Sequence, residues 1–204
     1  MGVKLNILNA MLASIGSSAI VTETGTNPNL LLAQPILDRK NLTVQAQGHW
    51  FNTDWSLELA PTASGEFILP QNTLKAQPSD HSAVYVRRGV RMYDPTEHTY
   101  NITGLDTMSL NVVIKLDFDD LPQTAIDYIE ASAILEMVTN FDSDPATVKV
   151  RTQSFALARE AFNIERRSLR NISLKDNPTY ARIVAGGYRH GVQPNPNIIG
   201  GYYG

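Results

Sequence analysis

No fold is open to this chain that ignores a double change in the period of its apolar residues. Positions 3–48 repeat at helical spacing, 49–118 read as short strands, and helical spacing returns after Asp119. The second switch lies in DFDDLPQTAIDYIEASAILEMVTNF, residues 117–141. There Ala125, Ile126, Ile129, Ala133, Ile134, Met137, Val138 and Phe141 form a wide apolar stripe. Asp127, Glu130, Glu136 and Asn140 lie opposite. Asp119 or Asp120 is placed to cap this helix, with Pro122 in its first turn. Asp117, Asp119 and Asp120 also admit an acid/base or metal reading, but carboxylates at a helix start commonly serve the dipole and the cap.

Ahead of the switch, residues 3–15 read as a helix with Val3, Ile7, Leu8, Met11, Leu12 and Ile15 on one face, stopped by Gly16. Asn27-Pro28 starts a second helix, with Leu31, Ala33, Leu37 and Val44 on its apolar face and Gly48 at its end. Pro35 is expected to kink this helix or to confine it to the residues after the proline. From His49 to Leu116 come WSLEL (55–59), with Trp55, Leu57 and Leu59 on one side, then EFILP (66–70) and AVYVRRGVRMYD (83–94), which turns at Arg88-Gly89. TYNITG and LNVVIKLDF (110–118) complete the set, which implies an antiparallel sheet or small sandwich. Asp142–Pro145 opens a long basic helix running to about Leu174, with Val148, Phe155, Phe162, Leu169 and Ile172 on its buried face.

No helix can bury its stripe alone. The expected fold is therefore α+β: a helical bundle built from both chain ends, 1–48 plus 119–175, with an inserted antiparallel β domain, 49–118. From residue 176 the chain is rich in Gly and Pro yet carries Tyr180, Tyr188, Arg189, Ile198, Ile199, Tyr202 and Tyr203. It reads as an extended C-terminal arm, 176–204, that orders against a neighbour.

Charge is divided along the chain. Residues 1–145 hold 8 Lys+Arg against 17 Asp+Glu, net −9, and residues 146–204 hold 9 against 3, net +6. Such a split fits either an acidic partner for the basic end or an internal match. Arg87, Arg88 and Arg91, with Arg159, Arg166, Arg167 and Arg170, are the candidate subunit-interface cations. A nucleic-acid reading of the same arginines is weakened by a sequence pI of about 5.8 and the lack of a reading-head motif.

The chain has no Cys, which removes disulfides, thiol catalysis and Cys-based zinc sites. Its four His are scattered without ligand spacing, and no nucleophile elbow, phosphate loop or dinucleotide glycine pattern is present. No catalytic residue, metal ligand or cofactor is expected. The N-terminal segment has neither the pattern of a signal peptide nor the length of a membrane span, so a soluble, intracellularly made protein without membrane insertion is expected.

ILNAMLASIG, GHWFN, VYVRRGVRMYDPT and DFDDLPQTAIDYIEASA occur here in an order and spacing similar to those of the podophage tail tubular protein A family. The chain resembles that family, the head-to-tail adaptors of short-tailed phages, over roughly residues 5–175. The resemblance implies a structural, non-enzymatic virion protein assembled in the host cytoplasm. It also implies a dodecameric homo-oligomer ring between the portal protein and the tail nozzle, tail tubular protein B. Such a ring extends the channel through which DNA passes during ejection, and an acidic wall does not hold the passing phosphates. The alternative is a virion-associated glycan or cell-wall hydrolase using Asp54 and Glu58 beside Trp50 and Trp55, two acids near indoles.

Overall fold

The computed structural model describes residues 2–80, 84–141 and 144–175, with side chains described through residue 169. The chain divides into two compact units, 1–166 and 167–204; of the second, the described residues 167–175 are the end of a helix. In order, the elements are α1 (Val3–Ser14), α2 (Pro28–Gln45), β1 (Thr53–Leu59), β2 (Thr73–Pro78), β3 (Val86–Arg88), β4 (Arg91–Tyr93), β5 (Met108–Ile114), a 3-10 turn (Phe118–Asp120), α3 (Gln123–Asn140) and α4 (Pro145–Lys175). The fold is α+β, with all described strands between α2 and α3.

Helices α1, α2 and α3 share one core. Ile7, Leu8 and Met11 meet Leu30, Ala33 and Leu37, and α3 supplies Ile129, Ala133 and Met137. Six of the eight stripe positions expected on α3 are buried; Ile134 is half-buried and Phe141 is exposed where the helix ends. The Asn27 side chain accepts from the N–H groups of Asn29 and Leu30, and Pro28 follows it, the expected cap. Gly16 adopts φ +72° and closes α1.

The expected face of α2 needs correction. Leu31 is exposed, and the buried apolar side chains are Leu30, Ala33, Ile36, Leu37 and Val44. The helix also runs through Pro35, which is exposed. The carbonyl four residues back, which loses its donor to the proline ring, lies on that solvent side. The start of α3 differs as well. Pro122 is the N-cap, and the Asp119 and Asp120 side chains do not cap α3. A residue before proline avoids the helical region, and Leu121 is extended at φ −83°, ψ 144°. The acids are thus left in a separate 3-10 turn. Asp119 Oδ1 instead accepts from the Val3 N–H at the start of α1, at 3.3 Å.

The β region has a second core around Phe67, Met92, Leu110 and Val112. One antiparallel sheet has the order β1-β5-β2, and a two-stranded antiparallel sheet pairs β3 with β4 across Gly89, φ +63°. Residues 67–69 run beside β4: Leu69 N–H donates to Val90 O and Met92 N–H to Phe67 O. In β1 the register shifts between Asp54 and Leu57, with Ser56 at φ 56°. That irregularity upsets the alternation expected of WSLEL: Leu57 and Leu59 pack on the β core, while Trp55 is 73 % exposed.

Between the two cores lies a buried polar junction. Gln45 Nε2 donates to Asn41 Oδ1 at 2.7 Å and to Leu116 O at 3.0 Å, and Leu116 N–H donates back to Gln45 Oε1 at 2.8 Å. Asn52 Nδ2 donates to Gln45 O and Ile114 O, both at 2.9 Å, and its Oδ1 accepts the His49 N–H at 2.8 Å. These two amides clasp the chain leaving α2 to the end of β5 and the residues just after it. Gly48 makes the turn possible at φ +76°, and a Cβ there would lie 3.0 Å from Val113 Cγ2.

Candidate functional site

The surface that sets this chain apart is α4. Asp144 Oδ2 accepts from the Thr147 N–H and Pro145 occupies the first turn, so the helix starts where the sequence places it. It runs for 31 residues, yet among its described side chains Phe162 alone is buried; Val148 and Phe155 are half-buried and Leu169 is exposed. Its hold on the bundle is aromatic. Tyr128 on α3 stacks on Phe155 and Phe162, with ring centroids 5.6 and 5.3 Å apart. Phe162 meets the edge of His49 at 4.9 Å and tilts against Trp50 at 5.4 Å. Thr124 donates to the Glu165 carboxylate.

His49, Trp50 and Phe51 of GHWFN are therefore committed to packing. His49 Nε2 bonds to Val44 O at 2.9 Å, which fixes Nε2 as the donor, and its buried Nδ1 has no hydrogen-bond partner. Burial lowers the His49 pKa below its ordinary value of 6.5, the Val44 bond opposes this, and the Arg166 charge lowers it further. A shallow groove of about 240 Å³ between α3 and α4 is lined by Asp127, Glu130, Ile134, Arg151 and Ser154. Burial, and then the Asp127 charge, raises the Glu130 pKa.

The candidate interface arginines fall into two settings. Arg87 is half-buried and donates to Leu74 O at 2.7 Å. The Arg88 guanidinium lies 3.5 Å from the centre of the Tyr93 ring. Arg91 bonds Glu66 at 2.8 Å and lies 4.1 Å from the Tyr100 ring centre. All three make contacts inside the β region, with Arg88 the most open. Arg159, Arg166 and Arg167 are exposed on α4. The Arg170 side chain lies outside the described residues, as do Tyr180, Tyr188, Arg189, Ile198, Ile199, Tyr202 and Tyr203 of the expected arm.

Asp54 and Glu58 are exposed on β1. Trp50 packs on Phe162 while Trp55 faces solvent, so these indoles serve different surroundings. Among the described residues, no group of three or more His, Asp and Glu is arranged to hold a metal ion, and no helix is long and apolar enough to cross a membrane.

Sequence reasoning missed the Gln45–Asn52 clasp and the outer apolar side of α4. GHWFN carried a signal for the first, since a polar residue closing an aromatic run beside a glycine turn is suited to bonding turn backbone. The second was legible as Val150, Leu157 and Ile164 at seven-residue intervals, opposite the face read as buried.

A family model described as Tube, tail tubular protein, matches residues 5–171. A protein described as tail tubular protein A, from Klebsiella phage KP34, is 30 % identical over 122 residues, covering 60 % of this chain and 64 % of that relative. The chain thus matches less than two thirds of the relative's length.

Proposed function

Because the chain belongs to the tail tubular protein family, a family of phage tail structural proteins, we propose that it is the adaptor ring of a short tail. In this reading, copies of the chain form a closed ring, a dodecamer, between the portal protein and the tail nozzle. The ring is non-enzymatic and extends the channel through which DNA leaves the capsid. It assembles in the host cytoplasm before joining the virion. The division into a helical part (1–48 with 119–175), a β part (49–118) and an arm (176–204) belongs to the same reading, with the arm meeting a neighbouring component.

The observation that carries it is the reach of the family match, residues 5–171, which takes in both the helices and the strands. The divided charge supports it. A head-to-tail ring places one patch of each subunit against a different patch of the next, and a basic helix on an acid-rich body supplies two such patches. Arg88, Arg159, Arg166 and Arg167 are the exposed residues among the described interface candidates. The wall of such a ring, if drawn from the acid-rich part, repels passing phosphates.

Co-expression with the portal protein and native mass spectrometry of the purified complex tests this. The expected result is a single closed multimer bound to the portal. Monomer that persists beside the portal contradicts it.

A further inference from the structure

His49 lies where α4 meets the rest of the helical part, and it is 4 % exposed. Its neighbours there are rings. Phe51 stacks on it with centroids 5.4 Å apart, and Phe162 and Trp50 meet it edge to face. Nε2 donates to Val44 O, and the buried Nδ1 has no partner. In the neutral ring Nδ1 is a bare lone pair, which burial tolerates at modest cost. In the charged ring Nδ1 carries a second N–H, and that proton meets no acceptor.

The groups packed around the ring do not offset this. Loss of water outweighs the Val44 bond, which favours the charged form. Arg166, one turn after Phe162 on α4, opposes a second cation, and no carboxylate acts on the ring. Glu165, the acid beside Arg166, accepts from Thr124 of α3. Tyr128 of α3 meets Phe162. The end of α2 and the turn after it, residues 44–52, hold no charged side chain besides His49 itself. Trp50 and Phe51 belong to the turn that Asn52 fastens to Gln45 O and the His49 N–H. Helix α4 is the separable wall of this enclosure: Phe162 is its one buried side chain among those described, and α1, α2 and α3 form their shared core without it.

We propose that His49 is an acid-sensitive catch for α4: a proton on its buried Nδ1 releases α4 from His49, Trp50 and Tyr128 while α1, α2, α3 and the β region stay folded. With α4 docked, Phe162 keeps water from the ring and Arg166 stands near it. With α4 released, water solvates the Nδ1–H and Arg166 is carried away. The sign follows from the protons bound. Above the ordinary histidine value of 6.5 the ring is neutral in both states and docking is complete; below it the released state takes up a proton that the docked state resists, so docking weakens. The catch belongs to the single chain and stands apart from the ring reading.

The chain has two Trp, and Trp55 already faces solvent, so Trp55→Phe leaves Trp50, packed on Phe162, as the sole indole. The full chain in this background is titrated from about pH 8 to about pH 5, the range in which histidine changes charge. Trp50 emission is followed throughout, with amide exchange, corrected for its intrinsic pH dependence, at both ends. The expected results are a red shift with its midpoint below 6.5, and exchange across residues 145–166 that quickens by up to about tenfold per pH unit below that value. Protection in α1, α2 and α3 is retained. His49→Gln, which can still donate to Val44 O, shows no step over this range. Arg166→Glu, a change at an exposed position that sets a carboxylate near the ring, moves the midpoint down by roughly half a pH unit or more. A wild-type chain without the step overturns the proposal, as does an unaltered step in His49→Gln or an unmoved midpoint in Arg166→Glu. Loss of protection shared equally by α1, α2 and α3 also overturns it, since that is global unfolding. If His49→Gln does not fold, the Arg166→Glu midpoint decides.

Discussion

Asn52 bonds the end of α2, the turn after it and the end of β5, through the Gln45 carbonyl, the His49 N–H and the Ile114 carbonyl. Asn52→Ala removes the His49 N–H partner, while the Gln45 carbonyl keeps its bond from the Gly48 N–H, and it is expected to lower stability by about 1–3 kcal/mol. Denaturant unfolding of the full chain checks this; an unchanged midpoint would mean water replaces the amide without cost. His49 predicts a pH dependence of definite sign. Its folded pKa lies below 6.5, so above that pH it is neutral in both states and contributes no slope. As the pH falls below 6.5 the unfolded chain takes up a proton that the folded chain resists, and stability drops by up to about 1.4 kcal/mol per pH unit until the folded pKa is reached. His49→Gln should flatten this part of the stability profile between pH 7 and 5, and equal slopes in the two proteins would contradict it. Glu136 contributes in the same direction at lower pH. Bonded to Lys40 at 2.8 Å and beside Arg39, its carboxyl is held below the ordinary carboxylate range and loses that support on acidification.

Among the elements, α1, α3 and the β3–β4 turn were legible because each has apolar residues on one side only, or a glycine where the chain reverses. Helix α2 was misread at Leu31 because it is apolar on two sides, and periodicity alone cannot say which side meets the core. Strand β1 was misread at Trp55 because an irregularity at a non-glycine residue, Ser56, is not announced by composition. The α4 face was legible in direction but not in depth: Phe155 and Phe162 point where the sequence puts them, yet most of the helix stays in water. The candidate surfaces obeyed the same rule. Arginine clusters were visible, whereas Arg87 turning inward to Leu74 depends on strand packing that no local pattern encodes. Because Phe162 is the one buried side chain among those described on α4, Phe162→Ala is expected to cost about 3–5 kcal/mol and to free α4 from Tyr128 and His49. Amide exchange should then rise along α4 while α1–α3 stay protected. Uniform loss of protection would show that α4 is integral to the bundle core.

At the scale of the whole molecule, the described residues form two cores with a polar clasp between them, and they leave Val150, Leu157 and Ile164 exposed on a long helix. Within the described residues that outer side contributes no burial free energy, since apolar surface left in water contributes none. In the proposed ring, head-to-tail contacts leave no unpaired end. Single-particle imaging of the chain assembled with portal and nozzle therefore tests the account most directly. The predicted image is a closed twelve-fold ring between the two. An image in which this chain decorates the particle as separate copies would contradict it.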